Sequence, residues 1–182
     1  MGVVGLGPNM LPDPARRVLT WTSAPLASDL EIAGPIKLTL YASSTRSDTD
    51  FFVKLSEQMP QSPEERGKDM NPAYFWITKG WLRASHRELD AKRSTEMEPY
   101  HTHANSQPIE PGRVYRFDIS IEPMAHRFRK GNRIRLEIVN GDSVVTDVLW
   151  THYYNPNKIG TDTLHHSKEY PSALVLPVTE GA

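Results

Sequence analysis

The chain has 182 residues, 38% of them hydrophobic and 24% charged, with a net charge of −1 and no cysteine. That is the size of one domain able to bury its own core. It excludes disulfides, thiolate nucleophiles and cysteine-ligated metal, and it supplies no global field to attract nucleic acid or an anionic membrane.

The first segment, residues 1–17, reads as an N-terminal extension. "MGVVGLGPNM" has no basic residue ahead of its short apolar run, so it lacks the form of a secretion signal, and nothing in the chain reaches membrane-spanning length. Leu6 stands where an N-myristoylation signal would want Ser or Thr. Gly2, Gly5 and Gly7 do not spell a dinucleotide loop. These features predict a cytoplasmic protein without a membrane partner.

From about residue 18 to 179 apolar and polar residues alternate in segment after segment, which puts one set of side chains on a buried face and the other toward solvent. In "IKLTLYASS" Ile36, Leu38 and Leu40 share a face opposite Lys37, Thr39 and Tyr41. "DFFVKLSE" repeats this with Phe51, Val53 and Leu55. A longer aromatic stretch from Tyr74 to Arg87 is broken by Gly80. "VYRFDISI" aligns Tyr115, Phe117, Ile119 and Ile121, "RIRLEIV" aligns Ile134, Leu136 and Ile138, and "ALVLPV" brings Leu174, Leu176 and Val178. Turn chemistry falls between them at Gly34-Pro35, Pro111-Gly112 and Lys130-Gly131-Asn132. Only "SPEERGK" near Ser62 and "MAHRFRK" near Met124 could each make a short helix, too little to cover a parallel sheet. The expectation is therefore an all-β, two-sheet jelly-roll sandwich of seven or eight antiparallel strands, forming a single domain. Met59 to Pro72 and Asp90 to Pro111 read as long loops, of the kind that usually carry function or cover another surface.

Several short motifs suggest chemistry. Gly141-Asp142-Ser143 after a strand, followed by Asp162-Thr-Leu-His165, spells a serine nucleophile, an orienting carboxylate and a general base. Esterases built this way need an α/β scaffold with a long path between serine and histidine. Here the gap is 22 residues, and no G-x-S-x-G elbow exists. The turn reading, with Asp142 and Ser143 bonding nearby backbone, is preferred, and Gly141 to Ser143 is expected to end an inner strand and lead into the loop "VVTDVLWTHYYNPNKIG". His101 and His103 would share a face if extended, and His165-His166 lies beside Asp162, but neither group supplies a full ligand set. Asp48-Thr-Asp50 offers too few oxygens for calcium and is expected to cap the turn before Phe51. The basic run from His126 to Arg135 alternates its charges with apolar residues, as a solvated or interdomain sheet face does, and resembles no nucleic-acid module. Trp76, Trp81, Trp150, Tyr153 and Tyr154 could stack on sugars, though aromatics of this kind mostly fill cores and interfaces.

"TSAPLASDLEIAGPIKLTLYASSTRSDTDFFVKL" from Thr22, "GWLRASHRELD" from Gly80, "IEPGRVYRFDISIEPMAHRFRKGNRIRLEI" from Ile109 and "EYPSALVLPV" from Glu169 closely resemble the C-terminal domain of the X-prolyl dipeptidyl-peptidase and cocaine-esterase family of serine hydrolases. One departure is Asn132, where that family often has His. The resemblance implies a galactose-binding-like jelly roll. It also implies a partner, an α/β-hydrolase domain that carries the Ser, Asp and His and against which the jelly roll packs, framing the active-site entrance and often the oligomer. On this view the chain is a separated C-terminal domain, either a fragment behind an added Met1 or a truncated gene product. No catalytic, cofactor-binding or metal-ligating residue is assigned to it, and no cofactor is expected. A domain parted from its neighbour is expected to expose an apolar patch and to self-associate. The alternative reading is a free-standing carbohydrate-binding module that uses surface aromatics.

Overall fold

The computed structural model describes residues 18–68, 71–141 and 158–179. Eight strands follow in order: β1 Leu19–Thr22, β2 Leu30–Ser44, β3 Asp50–Gln58, β4 Tyr74–Arg83, β5 Tyr115–Phe128, β6 Arg133–Val139, β7 Asp162–His165 and β8 Ala173–Val175. One five-residue helix, α1 Pro63–Gly67, and a 3-10 turn, Ala84–His86, interrupt them. All pairings are antiparallel, in the order β1-β6-β3-β4-β5-β2-β7, with β8 also on β2.

This single ladder curls into two facing layers because β4 and β5 touch at one register pair only, Gly80 with Ile121. A Cβ built on Gly80 would lie 2.2 Å from the Ser120 carbonyl oxygen and 2.9 Å from Ile121 Cα. Only a residue without a side chain lets the two backbones come this close. Between the layers, Phe51 of β3 meets Phe117 of β5 with ring centroids 5.1 Å apart. Ile36, Leu38, Leu40, Val53, Leu55, Ile119 and Ile121 are buried around them, as their alternation predicts. Each such side chain contributes roughly 1.5–3 kcal/mol by leaving water.

The two short-helix candidates have opposite outcomes. "SPEERGK" is helical, and the reason is a capping box: the Glu65 N–H donates to Ser62 Oγ and the Ser62 N–H to Glu65 Oε2, at 3.2 and 2.7 Å, with Pro63 at the helix start. "MAHRFRK" is not. Met124 to Phe128 continue β5 as a strand paired with Leu30 to Gly34, because His126 and the fully buried Phe128 turn inward while Arg127 turns out. The two prolines of this pair, Pro35 and Pro123, fall in the register irregularity between Gly34 and Ile36, where no ladder hydrogen bond is lost.

The long segment from Asp90 to Pro111 lacks regular structure but is tied down at many points. Asp90 N bonds Tyr100 O, Gln107 N bonds Ser85 O and Ile109 N bonds Ser47 O, at 2.8, 2.7 and 2.8 Å. Ile109 plugs into the core. The ammonium of buried Lys37 donates to the Glu96 carbonyl, which fixes the segment over the outward side of β2.

Candidate functional site

Asp162 and His165 do not form a catalytic pair. Three residues apart on an extended strand, they project to opposite faces of β7. Asp162 Oδ2 accepts from Asn140 Nδ2 and from Thr49 Oγ1, both at 2.6 Å. His165 instead places Nε2 3.2 Å from Ser43 Oγ and its ring 5.3 Å from that of Tyr170. Ser143 and the rest of the stretch 142–157 lie outside the described residues, together with Trp150, Tyr153 and Tyr154.

Asp48 and Asp50 are likewise committed. Asp48 caps the 3-10 turn by accepting from Ser85 N–H at 2.9 Å and from Ser85 Oγ at 3.1 Å. Asp50 is bridged by Arg83 Nε at 2.9 Å and by Lys158 Nζ at 2.5 Å, and Lys158 also approaches Asp48 at 3.5 Å. The lysine ammonium thus supplies the positive charge that a calcium ion would bring. Asn140 bonds the Asp50 carbonyl at 3.0 Å, so residues on both sides of 142–157 are anchored to the same acidic node. Lys158 carried no signal in the sequence, because nothing local marks a lysine that pairs across 108 residues.

Three arginines of the basic run are ion-paired in place. Arg127 pairs with Glu31, Arg129 with Asp29 and Arg135 with Glu137. At its turn, Glu57 receives three donors at 2.7 Å each: Arg129 N–H, Asn132 Nδ2 and His126 Nε2. Burial pushes the Glu57 carboxyl up, but these hydrogen bonds outweigh it and hold the group below the ordinary glutamate value. Asn132, the residue where the resembled family often has His, is therefore a donor to a buried carboxylate.

The histidines of "YHTH" are separated by the backbone. His103 adopts a left-handed φ of 52°, so the extended geometry that would align it with His101 is absent. His103 meets His86, at the end of the 3-10 turn, with Nδ1 to Nδ1 3.2 Å. His101 lies deeper; burial first, and then the neighbouring His103, push its imidazole down.

What remains open to solvent is an aromatic margin on β4. In a regular strand Trp76 and Trp81, five residues apart, would face opposite ways. A bulge at Ile77 shifts the register so that Leu55 opposes Thr78 while Ser56 opposes Trp76. Both indoles therefore join the face that carries Phe52, Lys54 and Ser56. Three rows result across β4, β3 and β6: Trp81, Phe52, Val139; Lys79, Lys54, Glu137; and Trp76, Ser56, Arg135. The β3 and β6 members of the first two rows are buried, whereas Trp76 and Trp81 are 40% and 54% exposed. Lys79 Nζ stands 5.7 Å from the Trp81 ring, and the Arg135 guanidinium lies 4.3 Å over Tyr74.

The class of protein the fold defines is a curled antiparallel β-sandwich, in which Asp162 and His165 face apart. The chain belongs to the family of X-Pro dipeptidyl-peptidase C-terminal non-catalytic domains, whose profile matches residues 13–175. It is 33% identical over 168 residues to a Mycobacterium bovis protein carried under the name of a serine esterase, covering 90% of this chain and 24% of that one. It is 24% identical over 168 residues to the cocaine esterase of a Rhodococcus species, covering 88% and 25%. Among solved structures, a CocE/NonD family hydrolase of Staphylococcus aureus superimposes with a TM-score of 0.69 at 18% identity, over 89% of this chain and 30% of that one. The chain thus spans about a quarter of the length of the curated relatives it matches. No helix among the described residues is long and apolar enough to cross a membrane.

Proposed function

We propose that this chain serves as the packing domain of a larger serine hydrolase, seated against an α/β-hydrolase domain through the β4 margin and shaping access to that domain's active site. The observation that carries this reading is the bulge at Ile77, which turns Trp76 and Trp81 onto one face where about half of each indole stands open. Exposed indoles flanked by Lys79 and Arg135 have the composition of an interface centre rather than of a solvated sheet. The occupant is argued from length: about three-quarters of each curated relative lies outside the part that this chain matches. Hydrolysis of ester or amide bonds would then belong to the neighbouring domain, and the isolated chain would pair with itself through the same face.

The test is a chimera in which this chain replaces the matching segment of the Mycobacterium bovis relative. It should fold and hydrolyse an activated ester. Trp76→Ser with Trp81→Ser should lower its kcat/KM, or lower its thermal midpoint by more than that of the isolated chain, which should stay folded. A chimera indifferent to both substitutions would overturn the assignment of the face. The exposed indoles also favour a second reading, carbohydrate binding; saturable glycan binding by the isolated chain, lost on Trp81→Ala, would decide for it.

A further inference from the structure

We infer that His86 and His103 form a two-imidazole seat for a divalent transition cation of the zinc, nickel or copper(II) class, independent of the β4 face. Their Nδ1 atoms are 3.2 Å apart and their ring centroids 5.4 Å. Two nitrogens each about 2.0–2.1 Å from a tetrahedral zinc ion are separated by roughly 3.3 Å, so the spacing, which without an ion is that of an N–H···N hydrogen bond, also fits two ligands sharing one ion.

The seat is built rather than incidental. His86 ends the 3-10 turn that Asp48 caps through Ser85 N–H and Oγ, and Gln107 N bonds Ser85 O at 2.7 Å. On the other side, Thr102 N bonds Glu88 O at 3.1 Å, Thr102 Oγ1 bonds Glu88 Oε2 at 2.7 Å, and Leu89 bridges to His101. His103 is held at a φ of 52°, a conformation that costs a non-glycine residue energy and that aims its ring at His86. Glu88 adds negative charge two residues from His86. The nearest cation, Arg87, is turned away over Tyr115 with its guanidinium 4.7 Å from that ring.

His101 stands behind the pair, its ring centroid 5.9 Å from that of His103, and its buried Nε2 has no hydrogen-bond partner. Among the described residues no group of three or more His, Asp or Glu is placed to hold a metal ion. The ion would therefore be held by two imidazoles and completed by water. Bound there, it would staple the loop from Asp90 to Pro111 to the 3-10 turn that follows β4.

The experiment is calorimetric titration of the full chain with Zn²⁺ alone in a non-chelating buffer, together with the ring C–H resonances of its histidines. One ion per chain should bind, shifting the His86 and His103 resonances and raising the thermal midpoint. His86→Gln should weaken binding at least about tenfold, since even loss of an outer partner of a metal ligand costs that much. His103→Gly should do the same without backbone strain, because glycine accepts a positive φ. His101→Gln should change the affinity by less than either. Absence of Zn²⁺ binding, or binding that survives both variants because it is carried by other histidines, would overturn the inference.

Discussion

Asp162 and His165 stand on opposite faces of one four-residue strand, the carboxylate held by Asn140 and Thr49 and the imidazole by Ser43. A general base needs its orienting carboxylate on its own ring, and this geometry denies it one. The isolated chain is therefore expected to leave p-nitrophenyl acetate at its background rate, with His165→Ala and Ser143→Ala both without effect. Stopped-assay absorbance measurements check this; turnover lost in either variant would restore the triad.

Gly80 joins the two layers where β4 crosses β5, and a Cβ there meets the Ser120 carbonyl oxygen at 2.2 Å. Backbone cannot swing aside as a side chain can. Gly80→Ala should cost about 3 kcal/mol, the upper range for overpacking, and lower the thermal midpoint by roughly 6 °C or more. Gly112, whose added Cβ would meet nothing within 4 Å but whose φ is +82°, is the control for conformational strain alone. Its alanine variant should be the milder of the two in a calorimetric scan.

The strands and their inward faces were legible because period-2 alternation is a local property, and Ile36, Leu38, Leu40, Phe51, Val53 and Leu55 turn inward as written. Three features were not. The bulge at Ile77 inverts the facing of Trp76 relative to Trp81, and a one-residue irregularity leaves no trace in an alternation pattern that is already aromatic on both sides. "MAHRFRK" carries a helical spelling, yet pairing with Leu30 to Gly34 and burial of Phe128 override it. The meeting of His86 with His103 depends on a left-handed backbone at a residue that does not require one. In each case a long-range contact decides what the local residues leave open.

Lys158 bridges Asp50 and Asp48 at the node where Asn140 is also anchored. Asp50 is nearly fully buried, so Lys158→Met takes an ammonium away from a hidden carboxylate whose other ion-pair partner among the described residues is Arg83. The expected loss is about 3 kcal/mol, the lower end for breaking a buried pair, read from the urea midpoint. Because Lys158 and Arg83 together already balance the two carboxylates, added Ca²⁺ should leave the wild-type midpoint unchanged.

Glu57 gathers the Arg129 amide, Asn132 and His126 around one buried carboxylate, and its proton affinity is lowered on folding. A depressed carboxyl contributes stability that is complete above the ordinary glutamate value, about pH 4.3, and that is lost as pH falls through the lower folded value. Asn132→Ala removes one donor and should cost about 1–3 kcal/mol at pH 7, with Asn132→His milder because an imidazole N–H can still donate. Urea unfolding at pH 7, 5 and 3 should show the alanine penalty intact at the first two and shrinking at the third. A penalty independent of pH would mean that Asn132 acts through turn geometry and not through the Glu57 charge.

Trp76 and Trp81 share a face with Lys79 between them and stand open in the isolated chain. Indoles that are 40% and 54% exposed bury about half of their surface on their own domain, so replacing both with Ser should lower the unfolding free energy of the isolated chain by about 3 kcal/mol or more. Their exposed halves remain available for association, where aromatic anchors at the centre of an interface carry much of its energy. Light scattering across a concentration series should therefore show the wild-type chain self-associating and the double variant shifted toward monomer at matched concentration. If the two curves coincide, the β4 margin is not the surface through which this domain meets a partner.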